Sequence, residues 1–467
     1  MNPWQPRIAE GAAPLYERLV DALEGDVRSG RLKTGDRLPP HRDLAHGLSI
    51  GIGTVSRAYA EAERRGLISS HVGRGSFVAG MATAVETGGG LANAGSGMID
   101  MAHNLPPAAP AARWLGETLN RLRRRGDLLE TIGYGPPEGM EAIRRAGAQW
   151  LSRRHHVVRA TAGGLIQCNG GQQGLALSFS TMLSAGDSLL CEAATYPGIR
   201  TIADHAGYRL TGVAMDQGGL CPDALDRAAA ETGARMIVLM PTLQNPTTIT
   251  MDAARRADIL AVARARDLMI VEDDAYRVLG DADCPTGFAD LAPERTFLVA
   301  GLSKSVAPGL RLGFILPPEG SNYRDRLISG IRALGYCPPA LGGLVFSQWV
   351  EDGVADRIAD DILTEAGERT ALAVGLLGDA AAKPGAAQSL HLWLPMPLLE
   401  AEQVAGRALR AGIDLTPPAA PLLLPSSISG LRLCLGAVAD RDVLRNALLA
   451  ISSTLGGAVD HEARDIV

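Results

Sequence analysis

Aromatic side chains make up only 4% of the 467 residues, and lysine is scarce: three (Lys33, Lys304, Lys383) stand against 42 arginines. No run approaches the ~20 uninterrupted apolar residues of a membrane span, which excludes a transmembrane protein. The N-terminal residues lack a basic stretch followed by an apolar one, so no secretory signal is expected and the cytoplasm is the expected compartment. The six cysteines (Cys168, Cys191, Cys221, Cys284, Cys337, Cys434) include no Cys-x-x-Cys pair, which argues against a disulfide framework and against a zinc ribbon. Free thiols and no metal centre are expected. What is present is an aliphatic chain, 46% hydrophobic, whose length predicts about three domains or one small domain plus one large one, and either way buries a sizeable core.

Charge is unevenly spread. Residues 1–80 hold 11 Lys/Arg against 9 Asp/Glu, a net of +2 in a chain whose net is −6, so the remainder carries −8. The net of −6 by itself argues against a nucleic-acid partner, but the average conceals a small, slightly basic head on an acidic body. The scarcity of lysine also marks Lys304. Where only positive charge is needed this chain uses arginine, and an amine is needed where a proton must be lost or a Schiff base formed.

In the head, residues 14–29 place Leu15, Leu19, Leu23 and Val27 on one helical face. Glycines and the Pro39-Pro40 pair then interrupt the chain, and residues 41–48 form a short helix with Leu44 and Ala45 inward. Val55, Ala58, Tyr59 and Ala62 recur at three and four, with Gly66 as a stop, for a third helix. Residues 67–78 read as a two-stranded hairpin whose Val72-Gly-Arg-Gly75 tip is basic. Three helices and such a hairpin make a winged helix-turn-helix.

The order Pro-Leu-Tyr at 14–16, Ser-Gly-Arg-Leu-x-x-Gly-Asp-Arg-Leu-Pro at 29–39, Arg-Asp-Leu-Ala at 42–45, Thr-Val-Ser-Arg-Ala-Tyr at 54–59 and Gly-Arg-Gly-Ser-Phe-Val at 73–78 resembles the GntR family of bacterial regulators. The resemblance implies that Arg42 meets phosphate or base, that Thr54, Ser56 and Arg57 lie on or near the recognition helix, and that Gly73, Arg74 and Gly75 enter the minor groove of double-stranded DNA. Arginine and a glycine-rich tip suit those tasks. Ile52 stands where many members carry arginine, so base preference does not carry over.

Residues 81–97 are small, Gly-rich and almost uncharged, the composition of a flexible linker; residues 456–467 read as a polar tail. Between them, near-continuous apolar runs at 188–191, 236–240, 268–271, 296–300 and 312–316 alternate with helical segments, predicting a mostly parallel sheet with helices on both faces. Ligands of such sheets bind beyond the carboxyl ends of the strands. There stand Gly170-Gly-Gln-Gln173 opening a helix that could receive a phosphate, Asp273 and Tyr276 in Glu-Asp-Asp-Ala-Tyr, and Lys304 with Arg311 seven residues on. A buried salt bridge for Asp273 and a snorkelling surface lysine for Lys304 are the plainer alternatives.

A phosphate cradle, an acid, a phenol, an amine and an arginine together describe a pyridoxal 5′-phosphate site. Over about residues 98–455 the motifs resemble the fold type I aminotransferases, whose α/β large domain carries a small C-terminal α/β subdomain. The resemblance implies that Tyr134 reaches the partner subunit's phosphate, Gly171 and Gln172 form the phosphate turn, and Tyr196 stacks on the ring. Asn245 and Tyr276 would serve the ring oxygen, Asp273 the pyridine nitrogen, Ser303 and Arg311 the phosphate, Lys304 the Schiff base, and Arg432 a substrate or effector carboxylate. Gly301 stands where relatives often have a second phosphate-binding serine, and Thr248 where the Asn-Pro-Thr motif usually continues with glycine.

A GntR-like head (1–80) and an aminotransferase-like body (98–455) resemble the MocR subgroup of transcription regulators. That resemblance implies a homodimer, usually head-to-tail, in which an amino acid or amine displaces Lys304 by forming an external aldimine and so repositions the heads on DNA. A working aminotransferase carrying a helix-turn-helix head is the alternative; a regulator sensing without cofactor is a third reading.

Overall fold

Alternation of buried side chains along Thr296–Gly301 shows how the body is layered. Phe297 and Val299 pack with Leu175, Phe179, Leu327 and Ile331 on one face, while Leu298 and Ala300 pack with Trp150, Phe314 and Phe346 on the other. A strand with both faces buried has no polar side to show, which is why its sequence is a continuous apolar run. The computed structural model describes residues 4–8, 14–28, 31–32, 35–64, 67–71, 75–78, 98–124, 133–320, 322–423 and 428–455. The expected linker at 81–97, the expected tail at 456–467, Gly66, and Gly73 and Arg74 of the expected wing tip lie outside the described residues.

The chain forms two compact units, residues 1–86 and 87–467. In the first, the helices Leu15–Arg28, His41–Gly47 and Ile52–Arg64 enclose a core of Leu19, Val20, Leu23, Leu44, Ala45, Val55, Ala58, Tyr59 and Ala62. The antiparallel strands Ile68–His71 and Gly75–Val78 follow, with Ile68 opposite Val78. The Tyr59 hydroxyl donates to the Pro39 carbonyl at 2.8 Å, fastening the third helix to the turn before the second.

In the second unit a seven-stranded sheet runs in the order Ile166–Cys168, Gly313–Leu316, Thr296–Gly301, Met269–Asp273, Met236–Leu239, Ser188–Glu192, Arg209–Val213. All neighbouring pairs from Thr296–Gly301 to Arg209–Val213 are parallel. Gly313–Leu316 is antiparallel to both its neighbours. The reason is the short return from Gly301 to Gly313, closed by Leu302 N–H on the Leu312 carbonyl at 3.1 Å; so short a connection can join only antiparallel neighbours. That return carries Ser303, Lys304 and Arg311 back past the same strand ends.

A smaller α/β layer completes the unit. His391–Pro395 pairs antiparallel with Gly430–Cys434, and Ile413–Leu415 pairs parallel with Ile99–Met101. The helices Val354–Leu377, Leu398–Arg410 and Arg441–Leu455 cover the core made by Leu392, Leu394, Leu431 and Leu433.

Candidate functional site

Three consecutive acids end the Met269–Asp273 strand and the turn after it, and the two-residue period of a strand separates their tasks. Glu272 accepts the N–H groups of Phe288 (3.1 Å) and Ala289 (2.8 Å). Asp274 is held by His155 Nδ1 at 2.7 Å. Asp273, between them in sequence and on the other side of the strand, lines a cavity of about 340 Å³, where its one hydrogen bond among the described residues is from Ala275 N–H at 3.3 Å. Burial pushes its pKa up to about 7, against the opposing pulls of Ala275 N–H and Lys304. A buried carboxyl without a cation in contact is suited to a ligand nitrogen that brings a proton.

The cavity is lined by Gly171, Gln172, Tyr196, Asn245, Asp273, Tyr276, Ser303, Lys304, Arg311 and Arg432, so ten of the eleven ligand-site residues expected from sequence come together. Tyr134 does not. It is 84% exposed and its ring stands 4.6 Å from that of Tyr336, itself exposed.

Lys304 sits in the turn after Thr296–Gly301, and its Nζ donates to the Asn104 carbonyl. Burial holds the amine down to about 8; Cys434 and Asp273 pull it up, Arg432 and Arg311 down. Arg311 adopts a left-handed backbone (φ 49°), rare for a residue with a Cβ, and donates from Nη2 to the Asn169 carbonyl at 3.2 Å. It thus overlies the start of the Gly170–Ser180 helix, where a Cβ on Gly170 would come within 2.9 Å of Arg311 Nη2. Gly301 has an equally specific neighbour, since a Cβ there would lie 3.3 Å from Gly171 N. Glycine at 301 therefore leaves the Gly171 N–H open, where serine would crowd it.

Arg432, on Gly430–Cys434, donates to Asn245 Oδ1 (2.7 Å), Thr416 Oγ1 (2.7 Å) and the Ala102 carbonyl (2.9 Å), while its buried Nε has no partner among the described residues. Gln172 Oε1 is likewise buried and unpartnered. Gln172 Nε2 donates to the Gly198 carbonyl at 3.0 Å, beside Tyr196 at the start of the Pro197–Ala206 helix. Thr248, where glycine is usual, has φ 61° and is fully buried, its N–H donating to the Gln244 carbonyl at 2.6 Å. The β-branched residue thus takes the same left-handed conformation that glycine adopts more freely.

Four residues that sequence reasoning did not select also belong here. Asn104 lines the cavity and His391 is bonded to it. Glu192, at the end of Ser188–Glu192, accepts from Gln244 Nε2 at 3.2 Å, and burial pushes its carboxyl up to about 8. Gln244 Oε1 in turn accepts from Thr247 N–H and hydroxyl, so the pair clamps the loop bearing Asn245. A histidine within an apolar strand reads as ordinary core, and only Glu192, a charge ending an apolar run, left a sequence signal.

On the head, Arg42 and Arg57 are exposed and Thr54 is half-buried. The Ser56 hydroxyl is 3.1 Å from His41 Nδ1, joining the second and third helices. Gly75, with φ 103°, packs on the Arg37 side chain.

Residues 96–451 match the family described as aminotransferase class I and II. The chain belongs to that family. Residues 15–78 match the gntR family of bacterial regulatory proteins, so the head is a GntR-type DNA-binding domain. YdeF, an HTH-type transcriptional regulator of Bacillus subtilis (strain 168), is 29% identical over 68% of this chain and 67% of its own length. PtsJ, the vitamin B6 salvage pathway transcriptional repressor of Salmonella typhimurium, is 25% identical over 81% of this chain and 84% of its own. The solved structure of LysN, the α-aminoadipate aminotransferase of Thermus thermophilus, superposes with a TM-score of 0.68 at 24% identity, covering 77% of this chain and 92% of that one. The architecture is that of the MocR subgroup, a GntR-type head on a fold type I body, and the body's cofactor is pyridoxal 5′-phosphate. The cavity fits that group: an unpaired buried carboxyl, a glycine-bordered helix start under an arginine, and an amine of lowered pKa meet in it.

Proposed function

We propose that this protein is a pyridoxal-phosphate-dependent, DNA-binding transcriptional regulator of the cytoplasm that senses an amino acid or amine in its body and reports it through its head. The observation that carries the reading is one chain holding both a GntR-type head with exposed Arg42 and Arg57 and a cavity equipped with Lys304, Asp273, Asn245, Tyr276 and Arg432.

When bound, pyridoxal phosphate supplies an aldehyde that takes up amine nitrogen and a ring that draws electrons from it. Lys304, with its amine lowered to about 8, offers a neutral nitrogen in a useful fraction of molecules near neutrality. Asp273 would hold a proton on the pyridine nitrogen, and Asn245 and Tyr276 would face the ring oxygen. Gly171, Ser303 and Arg311 would take the phosphate, with the first turn of Gly170–Ser180 adding free N–H groups. Tyr196 would cover one ring face. Arg432 would grip an α-carboxylate through the guanidinium edge that includes its unpartnered Nε. A ligand then switches the head only by binding two body conformations with different affinity.

In this reading residues 1–80 form the DNA-binding domain, 81–97 a linker and 98–455 the sensing domain. The protein acts as a homodimer, supported by the exposed Tyr134, Leu334, Tyr336 and Leu341. Arg42, Thr54, Ser56, Arg57, Gly73, Arg74 and Gly75 would serve the DNA.

The test is visible absorption of the purified protein during titration with amino acids and amines, without keto acid, paired with DNA binding under the same conditions. A lasting ligand-induced spectrum accompanied by altered DNA affinity supports sensing. Bleaching to the pyridoxamine form, with recovery on adding keto acid and no effect on DNA binding, makes the body a working aminotransferase instead, an outcome for which Lys304, Asp273 and Arg432 would equally suffice.

A further inference from the structure

His391 lies on the His391–Pro395 strand, fully buried, with its Nε2 3.3 Å from the Gln244 carbonyl and its Nδ1 2.9 Å from Asn104 Nδ2. A carbonyl oxygen only accepts, so Nε2 carries the hydrogen and Nδ1 of the neutral ring is an acceptor. The Asn104 amide must therefore present its NH₂ to His391, and the same nitrogen donates to Tyr276 Oη at 3.0 Å. On the other side, the donor-only guanidinium of Arg432 holds Asn245 Oδ1 at 2.7 Å, which turns Asn245 Nδ2 toward Tyr276 Oη at 3.5 Å. Two amides of fixed orientation thus donate to one phenolic oxygen. No acceptor for the Tyr276 hydrogen is recorded among the described residues, and the ring borders the cavity.

We infer that His391 is a positioning residue for the cofactor: through Asn104 it occupies a lone pair of Tyr276 Oη and turns the phenolic hydrogen toward the ring oxygen. The inference rests on pyridoxal phosphate binding in this cavity. Burial, Arg432 and Lys304 keep the imidazole neutral, with its pKa down to about 3 although the Gln244 carbonyl favours the charged form, so the relay holds its polarity at any working pH. The charged and titratable groups that face Tyr276 are Arg432, Asp273, Cys434, Tyr196 and His391, whose ring centroid stands 5.5 Å from that of Tyr276. Asn104 also receives Lys304 Nζ on its carbonyl, so one residue contacts both the amine and the phenol.

A hydrogen bond donated to the ring oxygen draws off negative charge that would otherwise retain a proton on the nearby Lys304 nitrogen. The experiment is a pH titration of the visible absorption of the cofactor-loaded protein. His391→Leu and, independently, Asn104→Ala are expected to raise the midpoint by about one pH unit, a tenfold change in proton affinity. His391→Asn, whose Oδ1 replaces Nδ1 as acceptor, is expected to titrate like the unaltered protein. Tyr276→Phe should give the same rise, and Tyr276→Phe with His391→Leu should rise no further, as expected for groups acting in one chain. Asn104→Ala keeps the test alive where His391→Leu fails to fold by circular dichroism. Single variants that titrate unchanged, or a double variant whose shift is the sum of the two, overturn the relay. Absence of any cofactor absorption in the unaltered protein overturns the cofactor reading itself, a separate result.

Discussion

Burial acts in opposite directions on the two ionisable groups that matter most in the cavity, lowering the Lys304 amine to about 8 and raising the Asp273 carboxyl to about 7. Both shifts favour neutral forms, and both groups await a partner that brings charge. Lys304→Ala is expected to abolish the absorption of the lysine-linked cofactor while leaving the circular dichroism spectrum intact, because the side chain sits in a turn and supports no packed layer. Persistence of that absorption would remove Lys304 from its role. Arg432→Ala should weaken ligands bearing an α-carboxylate by roughly a hundredfold, the scale of losing one partner of a buried charged pair. Amines without a carboxylate should lose much less, and calorimetric titration of the two ligand classes distinguishes the outcomes. Lys304 was legible because it is one of three lysines; Asn104 and His391 were not, because their significance is a pairing across 287 positions.

Short returns and close approaches between elements place these side chains. Gly342 on the Ala340–Glu351 helix lies so near the Pro308–Leu310 turn that a Cβ would overlap the Leu310 carbonyl oxygen. Gly342→Ala is therefore expected to displace that turn, move Arg311, and reduce cofactor affinity about tenfold or more, an amount comparable to one lost charged hydrogen bond. Fluorescence titration with pyridoxal phosphate measures it. On the head, the Ile52–Arg64 helix presents Arg57 to solvent while Val55, Ala58 and Tyr59 are buried. Arg57→Ala should lower DNA affinity and reduce the slope of log affinity against log salt by about one, as for a single lost phosphate contact. An unchanged slope would take Arg57 out of the interface. The head's helices were readable from period alone: the first two, Leu15–Arg28 and His41–Gly47, lie within one residue of the expected 14–29 and 41–48, and the third, Ile52–Arg64, contains the expected Val55, Ala58, Tyr59 and Ala62. The strands Ile166–Cys168 and Arg209–Val213 were not, being short or only half-buried, and the antiparallel direction of Gly313–Leu316 depends on loop closure rather than on hydrophobicity.

Across the whole molecule, buried carboxyls tie stability to pH. Glu192 and Asp273 have folded pKa values near 8 and 7 against ordinary values of 4.5 and 3.8. Between those limits the folded state keeps protons the unfolded chain has released, so the cofactor-free body should lose stability as pH rises from about 4 to about 8. Glu192→Gln, which keeps the shape without the charge, should flatten the upper part of that decline in thermal unfolding curves; an equally steep decline would show that Glu192 is not its source. The chain's residue order decided the two compact units and the apolar layers and singled out Lys304 and Asp273 as candidates, because periodicity and residue chemistry are local properties; Arg432, which lines the same cavity, was drawn from the family resemblance. Only the tertiary structure decided that Glu272 turns to the Phe288 and Ala289 N–H groups and Asp274 to His155, that Glu192 and Gln244 clamp the Asn245 loop, and that His391 faces Asn104. Hydrogen-bond polarity and desolvation depend on which distant side chains share a space, and no spacing along the chain encodes that.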